Sequence, residues 1–275
     1  MAQDAIPGPE VDVVVRSTTE AKLDPAGAGI SQWSGLVDFF TPVAGSSRAG
    51  AGLDVIAERR GFRFRDFGEF IPGRSPPLSQ ASLLTLQPTL TFAAAPQWSL
   101  VGSALLQYAG APQARFNDAV LLTGSIAAYH REKNLKIGLG FEVEQRMGGS
   151  TLALPFPVID WHISDRWLLT SLDGESGRLT YALTGEFSLF GQMEFQSQDI
   201  RLGRSSSIAS GILRYEAFPL CGGLQYKPGR HLTASLAGGA ALAQQYRFED
   251  VHGRLLRSSG RHAPFTCVWE VDYNF

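Results

Sequence analysis

Along most of this chain, large apolar residues recur at every second position, and no amphipathic helix longer than about two turns can be drawn through it. In the last nine residues, CVWEVDYNF, the side chains of Trp269, Val271, Tyr273 and Phe275 share one face of a strand, and Glu270, Asp272 and Asn274 share the other. The same alternation sets Leu135, Ile137, Leu139, Phe141 and Val143 against Lys136, Glu142, Glu144 and Arg146, with glycines between. Leu84, Leu86, Pro88, Leu90 and Phe92 oppose Thr85, Gln87, Thr89 and Thr91; Leu189, Met193 and Phe195 oppose Gln192, Glu194, Gln196 and Gln198. The pattern predicts strands over 11–21, 31–42, 51–61, 80–95, 97–109, 118–131, 135–146, 152–163, 166–172, 177–183, 186–201, 207–226, 231–248 and 263–275. Most exceed the usual strand of about five or six residues and reach the roughly nine to eleven needed to cross a bilayer at a tilt.

The connections carry a second pattern. Pro96-Gln97, Glu132 to Asn134, Ser164 to Arg166 and Lys227 to Arg230 are tight, whereas Ala21 to Ser31, Gly61 to Ser79, Gly110 to Asp118 and Glu249 to Ala263 are long and polar. Followed strand by strand, tight turns and long loops fall on opposite ends, with 42–52 the main exception. This is the layout of an outer-membrane barrel. Fourteen strands are predicted, or twelve if the short pair 166–172 and 177–183 fails to cross; both counts put the termini at one end.

Periodicity alone does not say which face meets water. Charged residues make up only 18% of the chain, against about a quarter in soluble domains, and the polar faces are rich in Thr, Ser, Gln and Gly rather than Lys. Trp98, Trp161, Trp167 and Trp269 lie near strand ends, where interfacial girdles sit. A strand at the C-terminus must pair with the first strand if no edge is to stand open in hydrocarbon. The expected fold is therefore a closed, antiparallel, up-and-down transmembrane β-barrel of 12–14 strands over residues 11–275 in a bacterial outer membrane. Residues 1–10 are expected to be a flexible segment left after signal removal. A net charge of −2 and scattered basic residues give no basis for nucleic-acid binding. Cys221 and Cys267 read as small apolar residues, since neither shows metal or redox spacing.

Two stretches resemble known proteins. The closing WEVDYNF, with Trp269, Val271, Tyr273 and Phe275 alternating, resembles the signal read by the bacterial barrel assembly machinery. LPFPVIDWHISDRWLLTSL and GRLTYALTGEFSLFGQM resemble a family of uncharacterised outer-membrane β-barrel proteins, through Asp160-Trp161, Ser164-Asp165-Arg166-Trp167 and Arg178-Leu179-Tyr181. That likeness implies fold and location, and no activity.

Candidate chemistry follows from the faces. Asp54, Glu58, Arg60, Glu142, Glu144, Arg146, Glu194, Arg214, Glu216, Glu270 and Asp272 are expected to line the lumen, with acids in excess. Such charges select passing solutes or pair across a closed interior. The segment 61–77 carries Phe62, Phe64, Phe67 and Phe70 among charges and is too apolar to stand in water, so it is expected to fold over or into the mouth as a lid or constriction, with an oligomer contact as the alternative. His162 and Ser164 have the spacing that puts a base and a nucleophile on one strand face, as in outer-membrane lipid hydrolases, but they sit in a tight turn, where Ser and Asp also serve as caps. No residue pattern indicates a metal or cofactor. The expected partners are outer-membrane lipid and lipopolysaccharide, the assembly machinery and small solutes; Arg254, Arg257 and Arg261 with His252 and His262 read first as a solvated loop, with contact to lipopolysaccharide phosphates the alternative. Passage or binding of small solutes is the preferred function; a lipid-modifying hydrolase and a closed structural or adhesion barrel are the alternatives.

Overall fold

The computed structural model describes residues 8–23, 27–46, 48–172 and 176–275. Its strands are β1 (Glu10–Leu23), β2 (Ala28–Gly45), β3 (Ala49–Arg65), β4 (Gln80–Ala95), β5 (Trp98–Gly110), β6 (Val120–Arg131), β7 (Leu135–Gln145) and β8 (Thr151–His162). They continue with β9 (Trp167–Leu172), β10 (Ser176–Ala182), β11 (Phe187–Glu194), β12 (Gln196–Arg201), β13 (Ile212–Tyr226), β14 (Leu232–Glu249), β15 (Leu255–Ser258) and β16 (Phe265–Asn274). A single helical turn, α1 (Phe67–Phe70), follows β3.

Fourteen of these strands form the wall. They run in chain order from β1 to β11 and then through β13, β14 and β16, which pairs back onto β1 from Glu10↔Asn274 to Thr18↔Thr266. All wall pairings are antiparallel. Around the ring every wall strand thus has two neighbours, but the short β9 reaches only Asp160–His162 of β8, so the loop-end stretch Thr151–Ile159 pairs with β7 alone among the described residues. The short pair β9 and β10 belongs to the wall, which decides the strand count in favour of fourteen.

Polarity is inverted relative to a water-soluble barrel. Leu90, Ile126, Leu139, Phe141 and Trp269 stand exposed on the outside, while Gln87 and Glu144 on the same strands turn inward and are half-buried. A leucine moved from water into an apolar medium gains about 1.5–3 kcal/mol. A belt of such residues therefore suits acyl chains and is unfavourable in water.

The strands outrun several predicted loops. Residues 42–52 continue β2 and β3, pairing Pro42↔Gly52 and Gly45↔Gly50 around a bulge, so the exceptional long turn is a short one. Small residues there remove the apolar alternation without removing the ladder. Of the expected loop 21–31, residues 21–23 belong to β1 and 28–31 to β2, while 24–26 lie outside the described residues; β3 runs through Phe62 and Phe64 to Arg65, so that the first part of segment 61–77 is wall. Residues 1–7 of the expected flexible segment lie outside the described residues, and β1 begins at Glu10.

The interior is layered along the barrel axis. Near the termini Asp12 stands in register between Asp38 and Asp272; one step up come Glu58 and Glu270, and then Arg16 and Arg60. Toward the loop end the inward residues become apolar. Leu23, Ile30, Phe62, Leu83, Leu121 and Phe248 form a hydrophobic core inside the barrel mouth.

Candidate functional site

Part of the sheet turns into the interior at the loop end. β11 pairs with β13 up to Met193↔Leu220, and β10 ends opposite Glu194, so beyond Phe195 the chain has lost its neighbour on one side. From there β12 and the first half of β13 continue as an arm, pairing Gln196↔Ala217 through Arg201↔Ile212, and the loop-end part of β14 goes with them, pairing Glu216↔Gln245 through Ile212↔Glu249. The arm leaves the wall and reaches β5, where Arg201 bridges Gly110 and the Ala111 N–H donates to the Arg201 carbonyl at 2.8 Å. Around the wall β5 lies six strands from β11 in one direction and eight in the other. The arm therefore crosses nearly the full diameter of the mouth.

Three irregularities line up where it bends. β11 breaks at Phe195, the register between β13 and β14 shifts between Glu216 and Phe218, and Ala243 on β14 takes a left-handed φ of 51°. Bulges raise local twist and redirect a strand; three abreast turn a sheet corner. The Phe195 and Phe218 rings, 5.3 Å apart, pack at this corner.

The arm's two faces carry different chemistry. On one, Gln198 and Tyr215 are paired, as are Ile200 and Leu213, and these meet the core and the inner wall. Gln198 donates to Gln107 on β5 at 2.8 Å, and Gln107 to Thr85 on β4 at 3.1 Å. On the other face Arg214 donates to both Asp199 oxygens at 2.7 and 3.0 Å, to Glu249 at 3.2 Å and to the Met147 carbonyl at 3.2 Å. Asp199 also accepts from the Met147 N–H at 2.9 Å. Arg146 reaches Glu216 at 3.0 Å and donates to Ser197. A planar guanidinium that grips a carboxylate through two bonds holds both distance and angle, so this face is clamped to the β7–β8 turn.

Below the arm, ion pairs cross the lumen. Arg16 on β1 meets Glu194 on β11 at 2.8 Å, and Arg178 on β10 meets Glu270 on β16 at 3.7 Å. Each pair joins strands four steps apart along the wall. The Arg178 guanidinium also lies 3.8 Å from the centre of the Phe190 ring, and Arg60 pairs with Glu58 at 2.6 Å. Between Arg16, Gln32, Arg60 and Gln196 only about 10 Å³ remains open, roughly the room of one water.

The structure places the expected residues in different settings. Glu58, Arg60, Glu142, Glu144, Glu194, Glu270 and Asp272 point inward from wall strands, and Asp54 stands in register with Gln87. Arg214 and Glu216 sit on the arm instead, because β13 leaves the wall at Phe218, while Arg146 lies at the loop-end rim as their partner. Phe62 and Phe64 are inward residues of β3; Phe67 and Phe70 are buried on α1, with both rings within 6 Å of Phe248. The segment thus packs beneath and beside the arm, which is the element that spans the mouth.

His162 and Ser164 are both exposed in the β8–β9 turn at the end that holds the termini. The Ser164 hydroxyl accepts from the Arg166 and Trp167 N–H groups, each at 3.3 Å, as a turn cap does. Trp167 packs on Tyr181 with ring centres 4.7 Å apart, and Arg166 donates to the Tyr181 hydroxyl. Residues quoted for the family resemblance thereby meet at one corner of the barrel.

Charged side chains that sequence reasoning missed include Arg16, Asp199, Arg178 and Glu249. A signal existed for the arm. If Gln196 and Gln198 face the lumen of a wall strand, Ser197, Asp199 and Arg201 face lipid, where an arginine costs about 2–4 kcal/mol near the bilayer centre. QSQDIR is therefore inconsistent with a wall strand.

Fold and interior together define a transmembrane β-barrel whose lumen is crossed by its own chain. Residues 91–256 match the family described as a domain of unknown function, DUF6268, and the chain belongs to that family. No curated protein matches. Among solved structures the chain is similar to the COG4313 outer membrane channel from Pseudomonas putida F1, at 10% identity and a TM-score of 0.52, with 99% of this chain and 97% of that one covered. The P. putida toluene transporter TodX aligns at 11% identity and a TM-score of 0.47, covering 98% of this chain and 91% of that one. At 10% identity the likeness to the COG4313 channel extends to the fold alone.

Proposed function

We propose that this protein is an outer-membrane channel for small solutes, with a mixed-charge lumen that the β12–β13 arm holds shut at rest. The observation that carries the reading is the combination of an apolar exterior with a charged interior. A barrel built only as a scaffold has no need of a polar core, since inward charges must each be paired to be tolerated. Acids outnumber bases among the inward groups, so cations are favoured in the lumen.

Magnitudes argue for a resting closed state. Lifting the arm exposes Ile200, Leu202, Ile208, Ile212, Leu213 and Tyr215, all buried. At about 1.5–3 kcal/mol per large side chain, that amounts to on the order of 10 kcal/mol before the Arg214 clamp is counted. Thermal opening is negligible, and a ligand, a partner or an applied force must supply the difference.

Planar-bilayer recordings test this. The parent is expected to pass little current, and a variant with residues 197–216 replaced by a two-residue Asn-Gly turn is expected to pass a cation-preferring current. Silence from both, in barrels shown to be folded, removes the channel reading. The alternating Trp269, Val271, Tyr273 and Phe275 fit recognition by a barrel assembly machinery. Replacing Phe275 by Asp and following assembly in membranes tests that role.

A further inference from the structure

The arm's tip leaves a cleft of about 350 Å³ at the loop end, within the roughly 300–1,000 Å³ typical of small-molecule sites. Three segments wall it: 75–79 from the β3–β4 connection, 111–113 after β5, and 203–207 at the tip. Its lining holds serine hydroxyls and the Gln113 carboxamide beside proline and leucine side chains, with no Asp, Glu, Lys or Arg. Arginine is close by, yet Arg74 turns its guanidinium onto the Ser207 carbonyl.

The walls are set before any ligand arrives. The Ser205 hydroxyl donates to Gln113 Oε1 at 2.6 Å, and the Ser207 hydroxyl to the Ser75 carbonyl at 2.6 Å, tying the tip to both neighbouring segments. Pro76 and Pro77 restrict the backbone on one side. Gly203 lies so close to the Pro112 carbonyl that a side chain there would collide. A site held in this way spends little binding energy on ordering loops.

We propose that this cleft binds a neutral, polyhydroxylated small molecule the size of one or two sugar units. Hydroxyl groups on such a ligand exchange water for serine and glutamine partners while its C–H faces pack on proline and leucine. A charged ligand would give up hydration without gaining a counter-charge, and a purely apolar one would strip water from the lining's remaining donors and acceptors, such as the Gln113 carboxamide N–H groups, without replacing it. The site stands on loop-end geometry alone; only its use in transport rests on the channel reading.

Calorimetry on the full chain in a sugar-free detergent, such as an alkyl amine oxide, tests the site independently of conductance. Three probes are compared: sucrose, glucuronate and cyclohexanol. Sucrose is expected to bind saturably with a Kd on the order of 1 mM, and the other two at least about tenfold more weakly. Ser206→Phe fills the cleft and is expected to abolish sucrose binding. Gln113→Ala, which removes one polar partner and one of the two ties on the tip while the Ser207–Ser75 tie remains, is expected to weaken it several-fold should the phenylalanine variant fail to fold. Absence of saturable sucrose binding, tighter binding of glucuronate or cyclohexanol, or equal binding by a folded Ser206→Phe or Gln113→Ala variant would overturn the proposal.

Discussion

Arg214 makes four polar contacts through three nitrogens, and its partners Asp199 and Glu249 are themselves buried. Removing the guanidinium leaves two carboxylates without their counter-charge in a confined space. Arg214→Ala is expected to cost about 3–5 kcal/mol, read as a lower denaturant midpoint of the barrel refolded in lipid. Ser164 is a smaller matter. As a cap on two exposed N–H groups, Ser164→Ala is expected to lose about 0.5–1 kcal/mol and to leave any lipid hydrolysis unchanged. Loss of such hydrolysis in both His162→Ala and Ser164→Ala would reinstate the catalytic pair.

The decisive element is the corner at which β12, β13 and β14 leave the wall. Ala243 there holds a left-handed φ of 51°, a conformation that costs an ordinary residue on the order of 1 kcal/mol and a β-branched one more. Ala243→Gly is expected to remain within about 0.5 kcal/mol of the parent, and Ala243→Val to lose about 1–2 kcal/mol, both by denaturant titration. The β14–β15 turn is sensitive to pH. The Asp250 carboxylate accepts from the Arg254 and His252 N–H groups at 3.0 and 2.9 Å and pairs with the Arg254 side chain. Backbone donation from Arg254 leads the causes that hold the Asp250 pKa below its ordinary value. For a depressed pKa the turn's order is fully present above the unfolded carboxylate value and is lost as pH falls through the folded one. Hydrogen exchange across 250–255 in acid is expected to rise before exchange in the wall strands does.

For the whole molecule, the claim at stake is which face of the wall meets lipid. Leu90 points out and Thr89 in, one residue apart on β4. Leu90→Arg is expected to cost about 2–4 kcal/mol in folding titrations into bilayers, whereas Thr89→Arg, which enters a polar lumen, is expected to cost much less. Equal penalties at the two positions would contradict the assigned sidedness. The exterior and the arm divide the work: one suits the barrel to hydrocarbon, and in the proposed channel the other determines what passes.

Much of the wall was legible in the residue order. Period-two alternation from Val11 to Phe275 marked strands within a few residues of those observed, because a strand between lipid and lumen must present opposite chemistry to its two sides at every step. The acidic ladder of Asp38, Asp12 and Asp272 illustrates where that reasoning stops, since each aspartate is visible alone but only strand register sets the three abreast. Residues 196–201 and 207–217 read as wall because they too alternate; both faces of the arm are covered, and periodicity reports that two faces differ without saying what covers either. The pairing of Arg201 with Gly110 joins residues 91 positions apart (201 − 110), and the crossings from Arg16 to Glu194 and from Arg178 to Glu270 span further chords of the cylinder. Such contacts follow from closure of the sheet, a property of all fourteen strands at once, so tertiary structure alone decided that an arm of the chain crosses this lumen and where the loop-end cleft lies.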